Sequence, residues 1–140
     1  MTTDVAGFGI DRRTGKPLSG WPHVLQSIEV IFTTRIGERV ELRFFGAAAP
    51  ILLGRAMTPA TILAFWQALR LALETWEPRF HVTRFIPGRP SAEQARGGHF
   101  SFQIEGEYRP RAHLGDPTPE GTLRRLSVGP GETGINVRPA

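Results

Sequence analysis

Apolar positions recur with two different periods along this chain, and the change of period separates helices from strands. Trp21, Val24, Leu25, Ile28, Ile31 and Phe32 fall three or four residues apart, while Gln26, Ser27, Glu29 and Thr33 occupy the other side. That spacing predicts an amphipathic helix running to about Thr34, with Ser19 upstream as a candidate N-cap. A second helical stripe follows in Ile62, Phe65, Trp66, Leu69, Leu73 and Trp76. Thr58-Pro59 starts it, because the threonine hydroxyl accepts from an early helical N–H and a proline at the first position has no N–H to leave unpaired. Pro78 stops it, for a length of about 25 Å at 1.5 Å per residue.

The period of two appears elsewhere. Phe100, Phe102, Ile104 and Tyr108 alternate with Ser101, Gln103, Glu105, Glu107 and Arg109, the cleanest strand pattern in the chain. Phe80, Val82, Arg84 and Ile86 alternate with His81, Thr83 and Phe85, which predicts a strand with two partly buried faces. Val40, Leu42 and Phe44 alternate with charged residues after a turn at Gly37, which predicts a short strand or extended arm. Gly7 to Pro17 is rich in turn formers and predicts an ordered loop or short hairpin. Ala47 to Leu53 has room for one or two helical turns, kept short by Pro50, and Pro87 to Gly98 reads as a loop.

Two helices with strands gathered mainly after the longer one predict an α+β fold, with both helices on one face of a small antiparallel sheet. The expected division is one domain over residues 1–113 and a Gly/Pro-rich extension over 114–140. Asp116-Pro117 and Gly129-Pro130-Gly131 mark that extension. Leu123, Leu126 and Val128 offer a short strand or docking arm within it; the remainder is expected to be extended, or ordered by a partner.

Composition narrows the function classes. With 140 residues, 40% apolar and 21% charged, the chain suits one globular domain. It has no apolar run near the roughly 20 residues needed to cross a membrane, and Met1 to Asp4 has neither the basic nor the apolar region of a secretory leader. Zero cysteines exclude disulfides, thiolate nucleophiles and Cys-ligated zinc, and fit assembly in a cytoplasm. Of the 17 basic residues only Lys16 is lysine, and arginine suits bidentate pairing with carboxylates at interfaces. Basic and acidic residues interleave, as in Arg35, Glu38, Arg39, Glu41 and Arg43, rather than forming the single-sign stripe that nucleic acid requires.

Several motifs occur in order along the chain: Gly9-Ile10-Asp11 with Thr14-Gly15, Trp21-Pro22-His23-Val24 with Gln26-Ser27-Ile28, and Thr33-Thr34-Arg35-Ile36-Gly37-Glu38-Arg39-Val40. Phe45-Gly46 and Trp76-Glu77-Pro78-Arg79-Phe80 complete the series. Together, over residues 7–113, they resemble the baseplate assembly protein W family of contractile-tailed phages, which includes the lysozyme-like wedge subunit and its counterpart in type VI secretion systems. The resemblance implies a structural subunit of the tail baseplate, assembled in the bacterial cytoplasm and present in several copies, six by symmetry. Its implied partners are larger wedge proteins, the tail sheath protein and the central spike or tube hub, with no nucleic acid and no membrane insertion. It also implies seeding of the sheath by strand pairing. An exposed sheet edge presents unpaired N–H and C=O groups to such a strand; the segment Phe100 to Arg109 is the candidate edge.

The residues expected to bind partners are Glu77, Pro78 and Arg79, with Arg35, Glu38 and Arg39. Pro78 would direct Glu77 and Arg79 toward a partner, so that exchanging their charges would abolish docking and spare the fold. The alternative is a local salt bridge at a helix end. Arg35, Glu38 and Arg39 form a charged turn that is either a solvated loop or a contact. The tryptophans fall on the apolar stripes and are expected in the core. His23, His81, His99 and His113 lack ligand spacing, so no metal and no cofactor are expected. A lysozyme-like enzyme would need two carboxylates flanking the scissile bond; Glu29, Glu74 and Glu77 are available but unmarked by spacing, and no catalytic residue is assigned. A tail connector or terminator is the other class composition allows.

Overall fold

The structure is a computed structural model that describes residues 7–47, 58–89, 91–96, 101–131 and 134–140. The turn-rich N-terminus forms a small antiparallel hairpin, β1 (Phe8–Ile10) with β2 (Pro17–Ser19). Helix α1 (Gly20–Thr33) follows directly, with Ser19 at the N-cap but without a side-chain capping bond. Helix α2 (Pro59–Trp76) starts as its sequence requires, the Thr58 hydroxyl accepting from the Thr61 N–H. A main sheet then runs in the order β3 (Phe80–Pro87), β4 (Phe102–Tyr108), β5 (Arg124–Gly131), β6 (Gly134–Pro139), every neighbour antiparallel. A short helix α3 (Ala92–Arg96) interrupts the expected loop between β3 and β4.

Both expected helices bury their apolar stripe: Val24, Ile28, Ile31 and Phe32 from α1, and Phe65, Leu69, Ala72 and Leu73 from α2. They meet the sheet residues Phe80, Val82, Phe102, Ile104, Leu126 and Val128 in one core, with Trp21, Trp66 and Trp76 partly buried around it. Helix α1 lies against β6, and α2 against β3 and α1. Aromatic pairs tie these layers together: Trp21 meets Phe80 and Tyr108 at 5.6 and 5.3 Å, and Phe65 meets Phe102 edge-on at 5.7 Å. The other face of the sheet is charged. There Glu105 bridges neighbouring strands, bonded to Arg125 at 2.7 Å and paired with Arg84 at 3.3 Å. The hydrogen bond from Arg125, with Arg84 nearby, lowers the Glu105 pKa from its ordinary value.

Three expectations change. The α+β class stands, but residues 124–139 are not an extended tail: β5 and β6 complete the sheet across the expected boundary at 113/114. The short strand offered at Leu126 and Val128 is present as β5, with both side chains buried; the run Gly129, Pro130 and Gly131 hides its continuation and the β6 that follows. β4 is not an edge, because β3 and β5 flank it; β3 and β6 are the outer strands. Val40, Leu42 and Phe44 form no strand. They sit in an irregular loop that pairs with no strand among the described residues, and their side chains are exposed. The helical turn expected over 47–53 lies, beyond Ala47, outside the described residues.

Candidate functional site

Helix α2 ends where Glu77, its C-cap, donates its N–H to the Leu73 carbonyl at 2.8 Å. Proline at 78 lacks the N–H that would continue the helix, and the chain reverses so that the Phe80 N–H donates to the Glu77 carbonyl at 3.1 Å. This tight turn folds the side chains on either side of Pro78 back onto each other. Arg79 Nε donates to Glu77 Oε1 at 2.6 Å and Nη2 to Oε2 at 2.8 Å, a planar two-pronged pair. Both residues are buried, with 2% of Glu77 and 7% of Arg79 exposed, and only Pro78 faces outward.

The pair also joins distant parts of the chain. Arg79 Nη1 lies 3.1 Å from His23 Nδ1 on α1. An arginine only donates, so the imidazole accepts there and carries its proton on Nε2. The N-terminal hairpin closes over both. A Cβ at Gly7 would come within 2.6 Å of Arg79 Nη1, and one at Gly9 would fall on His23 Nε2, so only glycine admits so close an approach. The Arg79 carbonyl accepts from the Arg109 N–H at 2.7 Å beyond β4. Glu77 and Arg79 therefore do not present one acid and one base outward. They form the local salt bridge at a helix end, and it is interior rather than solvated. The spacing of the three residues allowed either outcome, and burial decided it.

His23 is held below the ordinary histidine value near 6.5, first by burial and then by the Arg79 charge, with Glu77 opposing. The unfolded chain therefore takes up a proton before the folded chain does. The contribution of the neutral ring is complete above about pH 6.5 and is lost as the pH falls from there through the lowered folded value. Urea unfolding midpoints are thus expected to drop between about pH 7 and pH 5, and His23→Gln is expected to flatten that slope. The lowered carboxylates, Asp11, Glu105 and Asp116, contribute only at more acid pH. A His23→Gln curve parallel to the wild type would remove the imidazole from this site.

The second group of candidates lies on the loop between α1 and the segment preceding α2. Its base is closed by the Ala47 N–H donating to the Thr34 carbonyl at 3.0 Å, and Arg35 bridges Ala47 in parallel. Gly46, at φ 124°, lies so close to Thr34 that a Cβ there would strike its carbonyl oxygen. Within the loop Gly37 donates to Arg43, Phe45 to Leu42, and the Arg35 N–H to Glu38 Oε2 at 2.8 Å. Arg39 stacks over Phe45 at 4.3 Å, and Phe45 packs edge-on against Trp76 at 5.0 Å. Arg35, Glu38 and Arg39 are all exposed. They form a charged turn braced by these backbone hydrogen bonds.

Sequence reasoning missed His23, which lies 56 residues from Arg79 and carried no ligand or catalytic spacing. It also missed Arg124, whose guanidinium lies over Trp21 and Tyr108 at 4.9 and 5.2 Å. Only the register that sets Arg124 beside Gly106 brings it to those rings. Among the described residues no group of three or more His, Asp or Glu side chains is arranged to hold a metal. No helix among them is long and apolar enough to cross a membrane.

Comparison with known proteins gives consistent matches. The family profile of baseplate wedge protein gp25 matches residues 19–112. Baseplate protein W of Escherichia phage P2 is 34% identical over 82 residues, covering 59% of this chain and 71% of that protein. A chain of the postcontracted pyocin R2 baseplate superposes with a TM-score of 0.63 at 25% identity, covering 73% of this chain and 98% of that one. The crystal structure of a protein described as a tail lysozyme from Geobacter sulfurreducens superposes at 0.57. It is 22% identical over 87% of this chain and 93% of its own, and shares the fold.

Proposed function

Because the chain belongs to the baseplate wedge protein gp25 family, a structural baseplate role is its premise, and we propose that it joins larger wedge proteins and starts the tail sheath. Six copies, assembled in the bacterial cytoplasm, would encircle the tube hub and occupy the tail baseplate. The observation that supports sheath seeding is the open sheet. β6 pairs with β5 on one side only, and its register from Gly134 to Pro139 is uninterrupted. β3, the other outer strand, has a register shift between Val82 and Arg84. A bulge twists an edge away from further pairing, so β6 is the better template for an incoming sheath strand.

The role is binding rather than catalysis. Glu29, Glu74 and Glu77, the carboxylates available for a lytic reaction, each end on an arginine: Arg12 and Arg13, Arg70, and Arg79 respectively. Glycoside hydrolysis needs one carboxyl kept protonated in an apolar setting, and an arginine beside each of these three favours the charged form instead. The lysozyme-like neighbour, at 22% identity, speaks for the fold alone.

The test is purification of tail particles from cells co-expressing the neighbouring genes with the tagged chain, read by mass spectrometry. Proline placed at Asn136 and, separately, at Val137 removes an N–H from one side of β6 or the other. The variant whose isolated protein melts like the wild type has lost the outward donor. Its particles are expected to contain the baseplate and lack the sheath. Sheathed particles from that variant would overturn the seeding role. Absence of the chain from all particles, with clearing of cell-wall suspensions by the purified protein, would replace this reading by the enzymatic one.

A further inference from the structure

We propose that the loop from Arg35 to Gly46 is a preformed docking surface for a segment of another protein whose apolar face is bordered by aspartate or glutamate side chains. The proposal deepens the assembly reading above and rests on it. Of the ten large apolar side chains left exposed among the described residues, four are Ile36, Val40, Leu42 and Phe44, all in this one loop. Val40 is 83% and Phe44 84% exposed. Single exposed apolar residues are ordinary, but a cluster of them on one short segment marks a contact. The cluster is not a consequence of a loose backbone. The hydrogen bonds across the loop, the closure at Thr34 and Ala47, and the anchor of Phe45 against Trp76 hold its frame while these side chains point away from the core. A surface ordered before binding loses less conformational entropy on binding.

The charge pattern selects the partner. Among the described residues the ion pairs all lie outside this loop. Arg35, Arg39 and Arg43 have no carboxylate partner within it, although Glu38 and Glu41 are neighbours in sequence. Glu38 instead accepts from the Arg35 backbone N–H, and Arg39 is held on the Phe45 ring with its guanidinium fork preset. Three arginines around an apolar cluster complement carboxylates around an apolar face, and guanidinium groups bind carboxylates in two-pronged geometry. Arginine beside exposed aromatic and aliphatic anchors is also the composition of the most strongly contributing positions in protein interfaces.

The experiment places the photo-crosslinking residue p-benzoylphenylalanine at Phe44, and as a control at the exposed Leu71 of α2, in cells that assemble complete tail particles. Irradiated particles are digested and the crosslinked peptides sequenced. Phe44 is expected to capture a peptide of a different protein that combines apolar residues with at least two acidic ones, and Leu71 is not expected to capture the same peptide. Arg35→Glu with Arg43→Glu, which leaves the Arg39 stack in place, is expected to lower incorporation into particles by about tenfold. Incorporation should return when the acids of the captured peptide are changed to lysine. Capture of residues 48–57 of the same chain, of a second copy, or of a neutral or basic peptide would overturn the proposal. So would no capture at Phe44 in particles that contain the chain, or undiminished incorporation of the double variant. If the unmodified chain is absent from particles, the assembly reading itself fails.

Discussion

A chain cut after residue 113 is expected to lose cooperative folding altogether. The deleted segment carries β5 and β6, half of the main sheet, including the fully buried Leu126 and Val128. Each such side chain contributes about 1.5–3 kcal/mol by burial, against a total stability on the order of 5–15 kcal/mol for a domain. The secondary losses are as large. Helix α1 packs on the main sheet chiefly through β6, so its buried face would lose most of that cover. β4 would become an open edge, and Glu105, which takes its shortest bond from Arg125, would lose that partner. Circular dichroism is expected to show no sigmoidal thermal transition for the cut chain, and a hydrophobic dye is expected to bind it. A cooperative melt within a few degrees of the intact protein would show that the C-terminal hairpin is an accessory. The family profile ends at residue 112, before this hairpin begins, and the expected outcome is that the fold does not end there.

Glu77→Ala is expected to destabilise the protein by about 3–5 kcal/mol, the usual cost of breaking a buried ion pair by removing one member. Arg79 would keep its contact with His23 and stay enclosed by Gly7, but would lose both of its hydrogen bonds to the Glu77 carboxylate. Exchanging the two charges is no milder. The shorter glutamate at 79 does not reach the histidine as the guanidinium does, and an arginine at 77 does not fit a site shaped for a carboxylate. The exchange is therefore expected to cost stability rather than to spare the fold. Replacing both by apolar residues of similar volume, Glu77→Leu with Arg79→Met, is expected to recover much of the loss, because no buried charge then remains unpaired. Urea midpoints of the two variants against the wild type decide the matter. A Glu77→Ala midpoint equal to the wild type would mean that the pair is solvated.

Much of the fold was legible in the residue pattern, for identifiable reasons. The stripes of α1 and α2 survive because a helix buries one face whatever it packs against, and Thr58-Pro59 and Pro78 act on backbone groups within a turn of themselves. Phe80 to Pro87 and Phe102 to Tyr108 survive because a period of two needs only one buried face. The resemblance carried by Gly9-Ile10-Asp11 through Trp76-Glu77-Pro78-Arg79-Phe80 led to the right family, since the order of motifs is a property of the chain itself.

What the tertiary structure alone decided is everything that depends on which segments meet. The alternation of Val40, Leu42 and Phe44 matches that of a strand, yet no segment among the described residues pairs with them and they are exposed. Phe102 to Tyr108 reads equally well as an edge or a centre, and becomes a centre only because a hairpin more than a dozen residues later takes its free side. Glu77 and Arg79 are adjacent enough to pair in any chain, but whether they face a partner or the interior was settled by His23 and by two glycines of the N-terminal hairpin closing over them. Local sequence determines local dihedral and burial preference. Long-range contact determines which of those preferences is spent inside the molecule and which is left at its surface for another protein.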